Sequence, residues 1–191
     1  VFSHENDFDS IVAEAGAAWS VDPTLIKAII GAESGFDANA FRAEPQIGDA
    51  SYGLMQMLYG TATTMGFTGS TVDLYDPTTN IRLGTRFLAD LLKTADQRGY
   101  GVDSAISAYN AGFSVPRPGD GMRLTNDPSS AFINQAYVDN VLSLANYFKH
   151  GSVNQLATVT VFAQQVESAS PWPLLALAAP LLLLLVPKRH R

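Results

Sequence analysis

Glu33 stands in the stretch AIIGAESGF, residues 28–36, where the local apolar pattern calls for another aliphatic side chain. Leu25, Ile26, Ile29 and Ile30 share one helical face, and extending that stripe by three and four residues reaches Glu33. A carboxyl group on the inward face of a helix's last turn is disfavoured as an anion, both by desolvation and by the negative end of the helix dipole. Both effects push its pKa upward. A carboxyl group that holds its proton near neutral pH is equipped to act as a general acid. The competing reading is a glutamate that curls out to water at a frayed helix end, and this segment alone leaves the two open.

Other chemistries are poorly supplied. The 191 residues contain no cysteine, which removes thiol catalysis and disulfides. The three histidines, His4, His150 and His190, lie far apart and match no metal-ligand spacing, so neither a metal, a cofactor nor a histidine-based triad is expected. The formal charge is −6, and the terminal KRHR contributes +3, leaving −9 on the rest. That balance argues against nucleic-acid phosphates as a partner. At 47% hydrophobic residues the chain can build a real core around a cleft.

The elements that must hold Glu33 are helical. Phe8, Ile11, Val12, Ala15 and Trp19 repeat at three and four, predicting a first amphipathic helix. Asp22-Pro23 is an N-cap followed by a proline pre-set for the first helical position, and Gly35 is a natural stop for the helix that carries Glu33. Asp76-Pro77 repeats that start ahead of a face made of Ile81, Gly84, Phe87, Leu88, Leu91 and Leu92. A short helix from Asp103 to Gly112 brings Tyr109 and Asn110 to the end of its buried stripe, and a last one runs from Ser130 to near Gly151. Asp76 and Asn80 read as capping and packing residues. No convincing alternation marks a strand, so the expected fold is mainly α over residues 1–150, with 113–129 its longest structureless loop.

Five ordered motifs then stand out: ESGF at 33–36, SYGLMQ at 51–56, DPTTNIRLG at 76–84, AYNAG at 108–112 and AYVDNV at 136–141. Together, over about residues 6–149, the chain resembles the catalytic domain of soluble-type lytic transglycosylases, relatives of goose-type lysozyme. The resemblance implies a lysozyme-like helical domain with a substrate cleft, and Glu33 as the only catalytic carboxyl group. It implies cleavage of the β-1,4 bond between N-acetylmuramic acid and N-acetylglucosamine in peptidoglycan glycan strands. Glu33 would protonate the glycosidic oxygen and then deprotonate the muramic 6-hydroxyl, which closes a 1,6-anhydro ring. An intramolecular nucleophile has a high effective concentration, so a second carboxylate is dispensable.

The same resemblance places Ser51, Met55, Gln56, Tyr109, Asn110 and Tyr137 along the cleft as substrate-binding residues. Ser51 would bond Glu33 or sugar, Gly53 would admit backbone close to the ligand, Met55 and Gln56 would line the floor, and Tyr137 would turn its hydroxyl to Glu33. Core packing is the competing reading for Met55 and for Tyr137. Glu44 and Asp49 are read as solvated loop acids, with a water-activating role as the alternative. The chain departs from the family after AYNAG, where FSVPRPGDGM replaces a short glycine-rich turn.

Residues 151–170 read as a linker and 171–191 as a hydrophobic tail helix with a basic end. Trp172 to Pro187 is a charge-free run of sixteen residues, roughly 24 Å as a helix and a little short of the ~30 Å hydrocarbon core. With KRHR on the cytoplasmic side, the tail would anchor the domain in a membrane with its catalytic part on the periplasmic or outer side of the cell envelope. VFSHENDF lacks an apolar targeting core, which also fits a virion-associated protein. Besides the transglycosylase, a lysozyme-like hydrolase and a non-catalytic peptidoglycan-binding module remain as readings.

Overall fold

A computed structural model of the chain describes residues 2–112 and 132–151. Helix α1 (Asp9–Trp19) is followed by α2 (Pro23–Ser34), a three-stranded antiparallel sheet of β1 (Phe41–Glu44), β2 (Asp49–Tyr52) and β3 (Met57–Leu58), and the short α3 (Tyr59–Thr64). A 3-10 turn over Thr71–Tyr75 leads into α4 (Pro77–Gln97), then α5 (Val102–Ala111) and α6 (Gln135–His150). The mainly helical, lysozyme-like architecture is as expected. The sheet is not: it corrects the expectation of no strands. Its strands hold four, four and two residues, too few to show alternation, and Arg42, Glu44, Asp49 and Ser51 give them polar character.

The helix starts follow local chemistry. Asp22 accepts from the Thr24 backbone N–H at 2.8 Å and Asp76 from that of Thr79 at 2.8 Å, each ahead of a proline. Helix α2 ends at Gly35 (φ +59°), and Phe36 follows at φ +70°. Two successive left-handed residues turn the chain sharply after Glu33. The phenylalanine is held there by its ring, buried between Phe2 and Phe148 with centroids 5.2 and 5.9 Å away. The last helix begins at Gln135, later than the apolar pattern suggests. Asn134, its N-cap, makes no capping bond with its side chain, which turns instead to α5.

The core lies around α2, whose Ile26, Ile29 and Ile30 are fully buried against Leu54, Ile81, Leu88, Ile106, Val138 and Leu144. Helix α6 packs along α2 more extensively than any other pair of elements. Gly84 lets α4 close on the 51–56 segment, since a Cβ there would meet Met55 Sδ at 2.5 Å. Among the described residues no helix is long and apolar enough to cross a membrane. The expected tail helix, the linker and the 113–129 loop lie outside the described residues.

Candidate active site

Glu33 occupies the last turn of α2 and is half-buried. Beside it Ser34 pins the helix end to the SYGLMQ segment, donating its hydroxyl to the Leu54 carbonyl at 2.8 Å. From across the α2–α6 seam, Tyr137 donates its hydroxyl to Glu33 Oε1 at 2.6 Å. The separation of 104 residues makes this a tertiary contact in the strict sense. Burial raises the Glu33 pKa above the usual carboxylate value; the Tyr137 hydrogen bond and the charge of Arg42 oppose this, and the charge of Glu44 adds to it. The net effect favours the protonated carboxyl more than an exposed glutamate would allow.

Two tyrosines border it, each neutral. Burial and the Glu33 charge, with the hydrogen bond added for Tyr137, drive Tyr137 and Tyr109 well above the ordinary tyrosine value. Tyr109, in the last turns of α5, stacks its ring near Phe87 (5.3 Å) and donates to the Met55 carbonyl at 3.0 Å. Asn110 is half-buried, and its Oδ1 accepts from Asn134 Nδ2 at 3.1 Å. Asn134 also binds the Ser107 carbonyl at 3.0 Å and accepts the Ser107 hydroxyl at 2.6 Å. This bracket locks the polar end of α5 to the start of α6, and so to Tyr137.

The SYGLMQ residues are placed differently from expectation. Ser51 is buried, and its hydroxyl donates to Glu44 Oε1 at 3.4 Å instead of to Glu33. Met55 has no exposed surface and belongs to the core; what it offers Tyr109 is its carbonyl, so the floor expected of its thioether is not formed by it. Gln56, at φ +46°, spends its amide on the Ala40 and Gly53 carbonyls at 3.2 and 3.0 Å. Gly53 (φ +69°) makes room for Asn80 rather than for a ligand, since a Cβ would stand 2.6 Å from Asn80 Nδ2. Asn80 itself is fully buried, accepting from the Met55 N–H and donating to the Tyr52 and Leu74 carbonyls, all within 2.8 Å. Its expected packing role, and the capping role of Asp76, are what the structure contains.

Glu44 corrects the reading of a solvated loop acid. It is buried, with Arg42 Nε at 2.5 Å, Gln46 Nε2 at 2.8 Å and the Ser51 hydroxyl as donors. Asp49 is half-buried and caps locally, accepting from the Ala50 and Gly60 backbone N–H groups at 2.7 and 2.8 Å. Ser34, Arg42 and Asn134 were not among the residues singled out from the sequence. An Arg-x-Glu pair shares a face only if its segment is a strand, which nothing local announces. Among the described residues no cluster of acids or histidines could hold a metal ion.

A half-buried carboxyl at the end of a core helix, bonded by a tyrosine from the last helix of a mainly α domain with a small sheet, defines a lysozyme-like class of domain. A family model described as the Transglycosylase SLT domain matches residues 10–117, more than half of the chain, and the chain belongs to that family. Among solved structures it resembles the inactive glutamate-to-glutamine mutant of the lytic transglycosylase Slt from Pseudomonas aeruginosa, with a TM-score of 0.53 and 25% identity over 85% of this chain. The chain spans about a quarter of that protein, 25% of its length.

Proposed function

We propose that this domain is a peptidoglycan lytic transglycosylase, cutting the N-acetylmuramic acid to N-acetylglucosamine bond with Glu33 as its single acid and base. The observation that carries the reading is the Tyr137–Glu33 contact at 2.6 Å. It fixes the carboxyl group's orientation while burial holds its pKa up, so that one group can give a proton to the leaving oxygen and then take one from the muramic 6-hydroxyl. Family membership and the likeness to Slt support the same substrate class.

The lyase is favoured over a hydrolase by the other two acids nearby in sequence. An inverting hydrolase needs a free carboxylate to activate water. Glu44 is occupied by Arg42, Gln46 and Ser51, and Asp49 by two backbone N–H groups. An internal 6-hydroxyl therefore has no strong competitor at C1. Digestion of purified sacculi followed by mass spectrometry tests this: the fragments should end in 1,6-anhydromuramic acid, one water lighter than hydrolase products. Glu33→Gln should lower release by at least ~10². Reducing muramic ends would overturn the lyase reading, and undiminished release by Glu33→Gln would overturn the role of Glu33.

We further place the domain in the cell envelope, on the periplasmic or outer side of a membrane held by the 171–191 segment. Support comes from the composition of that segment, sixteen charge-free residues followed by KRHR, and from the location of peptidoglycan itself.

A further inference from the structure

The β1–β2 register puts Arg42 opposite Ser51 and Glu44 opposite Asp49. Side chains of paired residues and of next-but-one residues share a face, so Arg42, Glu44, Ser51 and Asp49 project together on one side of the sheet. The members of the Arg42–Glu44 pair are unequal. The glutamate side chain is 7% exposed, whereas the arginine is 53% exposed. Burying one carboxylate in a small domain costs desolvation, and here the charge does not reach the surface as an exposed ion pair would. Its effect is to brace a guanidinium. Glu44 engages only Nε, and among the described residues neither Nη group of Arg42 has a hydrogen-bond acceptor. A planar fork held by its inner edge, with its outer donors open, is matched to a carboxylate.

Resting on the transglycosylase reading, we infer that Arg42, braced by Glu44, is a substrate-binding residue that takes a carboxylate carried on the lactyl substituent of the muramyl sugar. Arg42 is close enough for its charge to be felt at both Glu33 and Tyr137, so the strand face that carries the open fork lies in the neighbourhood of the Glu33 carboxyl group. A muramyl residue seated with its C1 at Glu33 carries its lactyl ether on the same ring. That group ends either in its own free carboxylate or, when a stem peptide is attached, in the carboxylates of the peptide. N-acetylglucosamine has neither. Arg42 would thus supply a means of telling the two alternating sugars apart, and so of setting the register in which a strand is cut.

Binding by the full chain carrying Glu33→Gln, so that strands are not consumed, tests the assignment on three probes. They are peptide-bearing glycan strands, strands stripped of peptide by an amidase to expose the lactyl carboxylate, and neutral N-acetylglucosamine oligomers. Adding Arg42→Ala should weaken binding to at least one charged probe about tenfold and leave the neutral oligomers unchanged. Loss confined to peptide-bearing strands identifies a stem carboxylate, and loss confined to stripped strands identifies the lactyl carboxylate. Because Arg42→Ala strands the buried Glu44, the double change Arg42→Ala with Glu44→Gln is run beside it, and must give the same pattern. Equal weakening on all three probes, or none on either charged probe, overturns the inference. Cleavage by the unmutated chain is followed in parallel. If it fails while charged strands still bind through Arg42, the transglycosylase reading falls and the carboxylate site stands; if it proceeds and Arg42 is indifferent, the site alone falls.

Discussion

At the scale of single residues, the Glu33–Tyr137 hydrogen bond tempers the upward effect of burial on the Glu33 pKa. On the proposed mechanism the first step needs Glu33 protonated, so activity should decline as pH rises through its pKa. The Tyr137 hydroxyl stabilises the carboxylate and lowers that pKa against the larger upward effect of burial. Tyr137→Phe should therefore shift the descending limb of the rate profile to higher pH, while the plateau drops roughly tenfold because the carboxyl loses its orienting partner. A limb that stays in place or moves to lower pH would contradict the electrostatic account. The same raised pKa predicts a stability change in Glu33→Gln. Between its unfolded value, about 4.3, and its higher folded value, the folded chain binds more protons than the unfolded one, so wild-type stability falls as pH rises through that window. A neutral glutamine escapes the loss. Thermal unfolding should show Glu33→Gln melting above wild type at pH 7 and level with it near pH 3.5, where both forms of the site are uncharged. Equal melting at both pH values would mean that burial does not penalise the Glu33 anion. Glu33, Tyr109, Asn110 and Tyr137 could be named from the sequence because each ends an apolar helical stripe or sits in a family motif. The placement of Ser51 toward Glu44 could not, since it depends on which strand lies opposite.

At the scale of elements, Asn80 ties the segment 51–56 to α4 and to the 3-10 turn. One fully buried amide satisfies the Met55 N–H and the Tyr52 and Leu74 carbonyls, joining β2, the 3-10 turn and α4 at one point. Asn80→Ala removes the side-chain partner of the Met55 N–H and of the Tyr52 and Leu74 carbonyls. It should cost about 2–4 kcal/mol in denaturant unfolding, far more than an exposed substitution on the same helix. A loss under about 1 kcal/mol would mean that the segment is held elsewhere. Helix boundaries at Asp22-Pro23, Gly35 and Asp76-Pro77 were readable because capping chemistry is local. The start of α6 was not. Its apolar repeat continues upstream through Phe132 and Ile133, but Asn134 is drawn into the bracket with Ser107 and Asn110, and the helix begins only after it.

At the scale of the whole molecule, the core that the described residues form around α2 draws on every helix from α1 to α6 except the short α3. A chain shortened to end at His150 should therefore remain folded and in the aqueous phase, with wall-cutting activity within about twofold of the full chain, whereas the full chain should partition into detergent. Full-length protein recovered in water without detergent would reject the anchor, and loss of activity on shortening would give the tail a role in the fold. The sequence by itself determined the helical class, the capped ends of α2 and α4, and Glu33 as an acid on an inward stripe, because helical periodicity and capping act over a few residues. That Tyr137 meets Glu33 was implied by the family motif and not by any local pattern; tertiary structure alone decided that a short sheet turns Arg42 and Glu44 toward one face. It also decided that Met55 and Gln56 serve the chain rather than the surface. Those outcomes depend on contacts between residues tens of positions apart, and on strands too short to declare themselves.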